Sequence, residues 1–575
     1  MIQRKTTRVL AAGLGALVLI AHVASTQAAT IARWDFNSSP PDADVATGSL
    51  VPSIGSGAAQ LVGGVTASFT APNGSSDTNV TDNSNWRITT WPAQGTQNKS
   101  NGVQFKVNTA GFRNLSLKWD LRTSNTASKY TRLQYSTNGS DFLDYQVIVM
   151  PFETWMNGQT ASFVGVPGAD DNPRFTVRFV TEFESTAAGG GTAGYVPCNS
   201  TNNYGSAGTL RFDMVTFSGQ SVLTGFTVMT CNILGNGATN WTLASTNLEA
   251  LGRELNYVKP DVVGFQEIPE TFYPQWTNFI NAWLPGYQVV IGQQRLDGGE
   301  RSGVASRFGI RRSNSWLART DLTAFGYAGV FTRDLFEAEI VMPGFPQPFH
   351  FFTTHLKAHP DQDSAERRGA ESRCVSNFFA NAYLTTNALH PYLLVGDMNE
   401  DIERPRTYEQ GAIQNLTSAA TGLRLTKPRN PVTNDERTWS IQNASLTIRF
   451  DYVLPGEILF SNITSSQVFR SDKVIPAVPP LLAGDSATAA DHCPVLMTFG
   501  NPYGHPFRIR PIVMTNQSAW LSWESTPGGR YRIEGTTNFL QWSAIFSNIV
   551  AVDWQSSVAI GLTSARQFLR VARED

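Results

Sequence analysis

Six short motifs of acid, amide and imidazole residues, each next to an apolar run, constrain this chain more than any other feature. In order they are Thr230-Cys231-Asn232, Gly264-Phe265-Gln266-Glu267, Thr353-Thr354-His355, Gly396-Asp397-Met398-Asn399, Phe450-Asp451-Tyr452 and Asp491-His492-Cys493-Pro494. The runs leading in read as strands, Tyr392-Leu393-Leu394-Val395 before Gly396 being the plainest. Polar side chains just past buried strands gather on the rim of a core, where catalytic groups are displayed. A layered α/β domain with its site at one end of the strands is therefore expected.

At 575 residues the chain is too long for one core and should divide into three or four domains. The apolar fraction of 41% is that of a globular protein. The charged fraction of 16% is low, and Gly, Ser, Thr and Asn are plentiful, which suits an extracellular β-rich protein. The net charge is −2, and there is no run of five or six basic residues, so tight sequence-independent duplex binding is not indicated. Residues 223–500 are acidic, with 22 Lys+Arg against 27 Asp+Glu.

Residues 1–29 read as a cleavable secretory leader of bacterial type. Arg4, Lys5 and Arg8 precede an apolar stretch, Val9 to Ile20, too short to span a bilayer, and small residues follow at Ala28 and Ala29. Secretion or release to the periplasm is the expectation, with no membrane-spanning segment after removal of the leader. Cys198, Cys231, Cys374 and Cys493 are too scattered for a disulfide framework and read as buried small hydrophobes.

Three further segments follow the leader. Residues 30–222 alternate apolar and polar side chains, as at Leu115, Leu117, Trp119 and Leu121, and predict an all-β sandwich or jelly roll. Residues 223–500 alternate strand-like runs with helical stretches at Leu243–Leu255 and Ala365–Tyr383. Residues 501–575 predict a small fibronectin-like β module, with strands around Trp520–Trp523, Tyr531–Glu534 and Phe568–Val571. Either flanking module can serve as a spacer or bind carbohydrate or a cell surface.

The motif residues carry a definite chemistry. Asp397 and Asn399, two apart, are expected on one face of a strand, where carboxylate and carboxamide together hold or deprotonate a water. Glu267 ends a buried strand, a costly place for a carboxylate unless it is paired or bound to a cation. Hard oxygen ligands imply Mg²⁺, with Mn²⁺ as a substitute. Asp451 and Asp491 can hold His492 protonated and aimed, and His355 offers a second donor.

Taken in order, Asn232, Glu267, His355, Asp397 with Asn399, Asp451 and Asp491-His492 resemble the endonuclease/exonuclease/phosphatase superfamily, in its deoxyribonuclease and sphingomyelinase branch. The resemblance covers the central segment, and it implies two face-to-face β-sheets with outer helices in a four-layer sandwich. It further implies that Glu267 is the principal Mg²⁺ ligand, with Asn232 nearby and Asp491 as a second acidic, metal-binding group. Asp397 and Asn399 would handle the attacking water, and His492 with Asp451 would stabilise the transition state or carry the proton. The base is left open between Asp397 and His492. Arg333 is similar to a phosphate-contacting arginine of the secreted deoxyribonucleases, the alternative being a surface salt bridge with Asp334 or Glu337.

The expected function is a secreted Mg²⁺-dependent phosphodiesterase, foremost a nuclease. A sphingomyelinase or phospholipid phosphodiesterase, or a phosphatase, is the alternative, with Phe345-Pro346-Gln347-Pro348-Phe349 as a candidate lipid-docking segment. A catalytically silent surface-binding protein is the reading outside enzymes.

Overall fold

The computed structural model describes residues 28–574, apart from 80, 151, 192, 295–298, 444, 477, 505–506, 516–517, 538–540 and 562–567. The leader expected at 1–29 lies outside the described residues except for its last two. Ala28–Asn501 forms one compact unit, and Pro502–Asp575 falls in another.

The period-2 pattern of the N-terminal segment becomes two antiparallel sheets of seven and five strands. Leu115, Leu117, Trp119 and Leu121 lie on the strand Phe112–Thr123, and every one faces a single core with Trp34, Trp86, Phe105 and Phe179. The last strand, Leu210–Ser221, leads through three residues into the next segment. Within this junction Leu223 is buried in the central core, and its carbonyl accepts a hydrogen bond from Asn501 Nδ2 at 2.9 Å. Asn108 Nδ2 likewise donates to the carbonyl of Arg307 at 3.0 Å. The two parts of this unit are thus joined by buried contacts rather than a free linker.

The central segment begins with strand β1 (Gly225–Asn232), helix α1 (Thr246–Val258), strand β2 (Val262–Pro269), helix α2 (Tyr273–Trp283), β3 (Gln288–Ile291) and β4 (Glu300–Ser306). It continues with β5 (Gly309–Trp316), β6 (Leu335–Val341), β7 (Phe349–His355), helix α3 (Gln362–Phe378) and β8 (Tyr392–Asp397). Strands β9 (Asp451–Pro455), β10 (Ile463–Val468) and β11 (Val495–Gly500) complete it. One sheet runs β3-β4-β2-β1-β11-β10, the other β5-β6-β7-β8-β9.

Val228, Val262, Phe351, Leu393 and Val495, drawn from both sheets, share one core. The first sheet packs Met229, Val263 and Phe265 against Leu251 and Leu255 of α1 and Trp276 of α2. The second packs Phe352 and Leu394 against Ala370 and Val375 of α3. The helices start and stop where side chains dictate. Asp361 caps α3, its carboxylate accepting from the Ser364 amide at 3.0 Å, and α1 ends at a left-handed Lys259. The expected helix Ala365–Tyr383 is α3 followed by a wider π-turn over Phe379–Tyr383, which stacks Phe379 on Tyr392 and sets Tyr383 edge-on to it.

Two glycines permit the close approaches that frame the site. A Cβ at Gly264 would come within 2.9 Å of Phe351 and Val395 of the opposite sheet. At Gly396, with φ +142°, a Cβ would lie 1.9 Å from the carbonyl oxygen of Thr354.

Residues Pro502–Asp575 form two three-stranded sheets around Leu521, Trp523, Tyr531, Ile533, Leu569 and Val571. All four cysteines are free thiols, three of them buried. Among the described residues no helix is long and apolar enough to cross a membrane.

Glu254 of α1 is fully buried, and its carboxyl is pushed up to about 8, chiefly by desolvation, although Ser486 Oγ donates to it at 2.5 Å. The fold therefore favours the protonated acid. That stability is complete below the ordinary carboxylate pKa and is lost as pH rises towards 8. A tenfold change in proton affinity is worth about 1.4 kcal/mol, so the loss across this window is on the order of 4 kcal/mol. Glu254→Gln should remove it: by calorimetry the variant is expected to melt above the parent at pH 8.5 and to match it near pH 5. Parallel melting curves at both pH values would contradict this.

Candidate active site

The site is built by strand direction. Strands β1 and β2 run parallel, as do β7 and β8, so Asn232, Glu267, His355 and Asp397 all arrive at one rim from C-terminal strand ends. Their antiparallel neighbours β4, β6, β9 and β11 begin at that same rim. Glu300 and Asp451 open β4 and β9, Arg333 lies just before β6, and His492 just before β11. The register sets His355 directly opposite Asp397, and Asp397 opposite Asp451.

Asp397 Oδ2 is the centre of the arrangement. Asn232 Nδ2 donates to it at 3.0 Å, and His355 Nε2 and His492 Nε2 stand 3.4 Å and 3.7 Å away. The other oxygen, Oδ1, accepts from the Asn399 amide at 2.9 Å. Asn232 Nδ2 also donates to Glu267 Oε1 at 3.1 Å, so one carboxamide links carboxylates from two sheets. Glu267 reaches this position through a β-bulge between Phe265 and Ile268, with φ +66°, and its Oε2 accepts from the Asn236 amide at 3.0 Å.

His492 is aimed by Asp451. Its Nδ1 lies 2.7 Å from Asp451 Oδ2, which also accepts from Thr438 Oγ1 at 2.6 Å. Burial alone would lower the imidazole, but the Asp451 and Asp397 carboxylates outweigh it and hold His492 up at about 10. His492 is therefore an imidazolium at neutral pH, with Nε2 directed at the reaction space. Asp397, fully buried, is pushed up to about 7 by desolvation, the attraction of His492 notwithstanding. Glu267 is also raised, by desolvation and then by the negative charge of Glu300.

The residues fit a divalent cation. Ligand atoms of Glu267, Glu300 and His355 all lie within 4.8 Å of one another. Five carboxylates, Glu267, Glu300, Asp397, Asp451 and Asp491, gather here, and among the described residues their ion-pair partners are Arg333, His355 and His492. Asp451 Oδ1 and Asp491 Oδ1 are buried without a hydrogen-bond partner. Uncompensated hard oxygens of this kind suit a divalent cation.

Several placements differ from the expected ones. Strand β8 ends at Asp397, so alternation does not bring Asn399 to the site. A left-handed turn does, at φ +52°, and Asn399 Nδ2 then donates to the Leu356 carbonyl at 3.2 Å. Asp491, expected beside the cation, lies outside the Glu267 group. Its Oδ2 accepts from Trp439 Nε1 at 2.9 Å, and its Oδ1 is 3.8 Å from His492 Nε2. Arg333 is buried, not a surface residue paired with Asp334 or Glu337. It pairs with Glu300, and its Nη1 donates to the carbonyls of His355 and Leu356 at 3.3 and 3.1 Å.

Glu300, Thr438 and Trp439 were not singled out in the sequence. Glu300 precedes the apolar part of its strand, because β4 runs antiparallel, and a search of strand ends passes over it. The signal that marks it is a carboxylate opening the run Ser302-Gly303-Val304-Ala305.

Residues 229–472 match the model of the Endonuclease/Exonuclease/phosphatase family. No curated protein matches the chain significantly. Among solved structures the chain is similar to an endonuclease/exonuclease/phosphatase family protein from Leptotrichia buccalis C-1013-b, at 15% identity over 48% of this chain and 100% of that one, with a TM-score of 0.34. It is similar to the 3′ phosphatase NExo from Neisseria, bound to a product DNA hairpin, at 15% identity, 48% and 100% coverage and TM-score 0.34. A third is D. rerio TDP2 complexed with a single-strand DNA product, at 17% identity, 48% and 100% coverage and TM-score 0.33. Residues 229–472 of the central domain thus match the endonuclease/exonuclease/phosphatase family model, a match that supports phosphoric ester hydrolysis as the chemistry of this domain.

If Asp451 is what holds His492 protonated, Asp451→Asn should lower the imidazole by more than one pH unit, read by NMR titration of the ring protons. Turnover should fall by about a hundredfold, the loss of one transition-state donor being worth about 3 kcal/mol. An unmoved titration would show that Asp451 does not set the charge of His492.

Proposed function

We propose that the protein is an exported, Mg²⁺-dependent phosphodiesterase that hydrolyses nucleic acid, its central domain a four-layer sandwich. One observation carries this reading: a single buried carboxylate oxygen, Asp397 Oδ2, stands 3.4 to 3.7 Å from two imidazoles, beside the carboxylates of Glu267 and Glu300. That grouping supplies a proton acceptor, a cationic donor and an anionic cradle at one place.

Asp397, with a pKa of about 7, is matched to taking a proton from water near neutrality. The Asn399 amide and Asn232 Nδ2 fix its two oxygens, so its remaining lone pairs are directed. His492, held as the imidazolium by Asp451, donates from Nε2 to an oxygen of the phosphate as charge accumulates there. Glu267, with Glu300 beside it, would hold the cation, which supplies positive charge to the phosphoryl oxygens and orients the ester. Arg333 locks Glu300 and the 355–356 backbone in place, and so acts by positioning.

A lipid substrate is less well supported. Phe349 is fully buried and Phe345 packs on the Phe226 ring at 5.8 Å, so this segment does not present an aromatic pair to a membrane.

Purified residues 30–575, with Mg²⁺, should nick plasmid DNA, and EDTA should abolish the nicking. Glu267→Ala and His492→Ala should each lower the rate by at least a hundredfold, as expected for a lost ligand or donor worth about 3 kcal/mol. Turnover of sphingomyelin or a phosphomonoester with plasmid and RNA left intact would refute the nuclease reading and keep the hydrolase. Activity retained in both variants would refute the site.

A further inference from the structure

The outer face of the seven-stranded N-terminal sheet carries three arginines in a row. Arg87, on the strand Asn85–Thr89, lies opposite Arg211, which in turn lies opposite Arg122. Their chain neighbours Trp86, Ile88, Leu121 and Phe212 point inward to the core, so strand alternation turns all three arginines to the outer face. Neighbouring strands are about 4.8 Å apart, so the row spans about 10 Å.

Among the described residues, no carboxylate forms an ion pair with any of the three. Arg122 Nε donates to the carbonyl of Glu153 at 3.2 Å, and Arg87 Nε is buried with no hydrogen-bond partner. Arg211 is held below the usual guanidinium range by burial, then by the positive charges of Arg122 and Arg87. The nearest carboxylates in register, Asp120 and Asp213, stand opposite each other one row along the same face. Both are buried, and backbone amides meet three of their four oxygens, Asp213 Oδ2 being buried with no hydrogen-bond partner. Asp120 accepts from Ser76 at 2.6 Å and Gly158 at 2.7 Å, and Asp213 from Met214 at 2.8 Å. Like charges directly across a sheet repel, and an anion laid along the row removes that repulsion.

We propose that this row is a phosphate-binding exosite which holds the nucleic-acid substrate of the catalytic domain, an inference that rests on the nuclease reading above. Three guanidinium forks spread over about 10 Å offer donors to successive phosphates along one flexible strand. A guanidinium presents paired N–H donors to phosphate oxygens, a geometry a point charge lacks. The acidic balance of residues 223–500 gives the catalytic domain little general attraction for a polyanion, and the row supplies it from outside the site.

The test uses residues 30–575 carrying Glu267→Ala, which prevents cleavage, and fluorescence anisotropy of a labelled single-stranded DNA over a range of KCl. The variant Arg87→Gln, Arg122→Gln, Arg211→Gln should bind at least tenfold more weakly, with a log K against log salt slope smaller by about 2, from three lost contacts at about 0.7 each. The matching triple lysine variant keeps the charge and should keep most of the slope. In the active parent, the glutamine variant should hydrolyse bis-p-nitrophenyl phosphate at the parent rate, which shows that fold and catalytic site are intact.

Undiminished DNA affinity and slope in the glutamine variant would overturn the exosite, as would a parent that does not bind DNA. Loss of binding to an acidic polysaccharide such as alginate, with DNA binding unchanged, would also overturn it. DNA binding that depends on the row in a protein that cleaves no nucleic acid would instead refute the nuclease reading and leave the exosite standing.

Discussion

Everything at the rim depends on keeping a carboxylate charge buried between two sheets. Asp397 Oδ2 lies within 3.7 Å of groups from both: Asn232 and His492 from the first sheet, His355 from its own. A buried carboxylate is tolerable only with donors around it, and here the donors come from elements far apart in sequence. The sheets cannot slide past each other without stripping Asp397 of those partners. Gly264 and Gly396 belong to the same constraint, since any side chain at either would hold the strands too far apart.

Charge at the site is divided between groups that neutralise each other and groups left over. His492 with Asp451, and Arg333 with Glu300, account for two carboxylates. Glu267, Asp397 and Asp491 remain, and burial raises the first two. This excess is what gives the rim its capacity for a divalent cation and gives Asp397 a proton affinity suited to neutral pH. For the nucleic-acid substrate proposed above, the same electrostatics set a problem of capture, because a cradle rich in carboxylates repels a polyanion at longer range. An arginine row on the sandwich is one physical answer, and it assigns binding and chemistry to separate surfaces of the unit.

How much could be read from the sequence depended on strand direction. Asn232, Glu267, His355 and Asp397 end apolar runs, and each stands out as a polar residue where a hydrophobic pattern stops. Glu300 opens a run instead, and Thr438 and Trp439 lie in a segment without periodicity, so no pattern marked them. The alternation argument placed Asn399 on the Asp397 face, but the strand had already ended, and a left-handed turn took over the placement. Arg333 carried two readings, and its burial against Glu300 gave it a partner that neither had named.

The sequence by itself determined the local elements and the chemistry on offer. Period-2 apolar patterns specify the strands of both β-rich segments, a local signal that needs only neighbouring residues, and the order of the acid, amide and imidazole motifs from Asn232 to His492 points to phosphoester hydrolysis. Tertiary structure decided which groups meet. The bulge that turns Glu267, the register that faces His355 with Asp397, the partner of Arg333 and the alignment of Arg87, Arg211 and Arg122 are all set by strand pairing. Pairing depends on residues tens to hundreds of positions apart, and a linear pattern does not carry that distance.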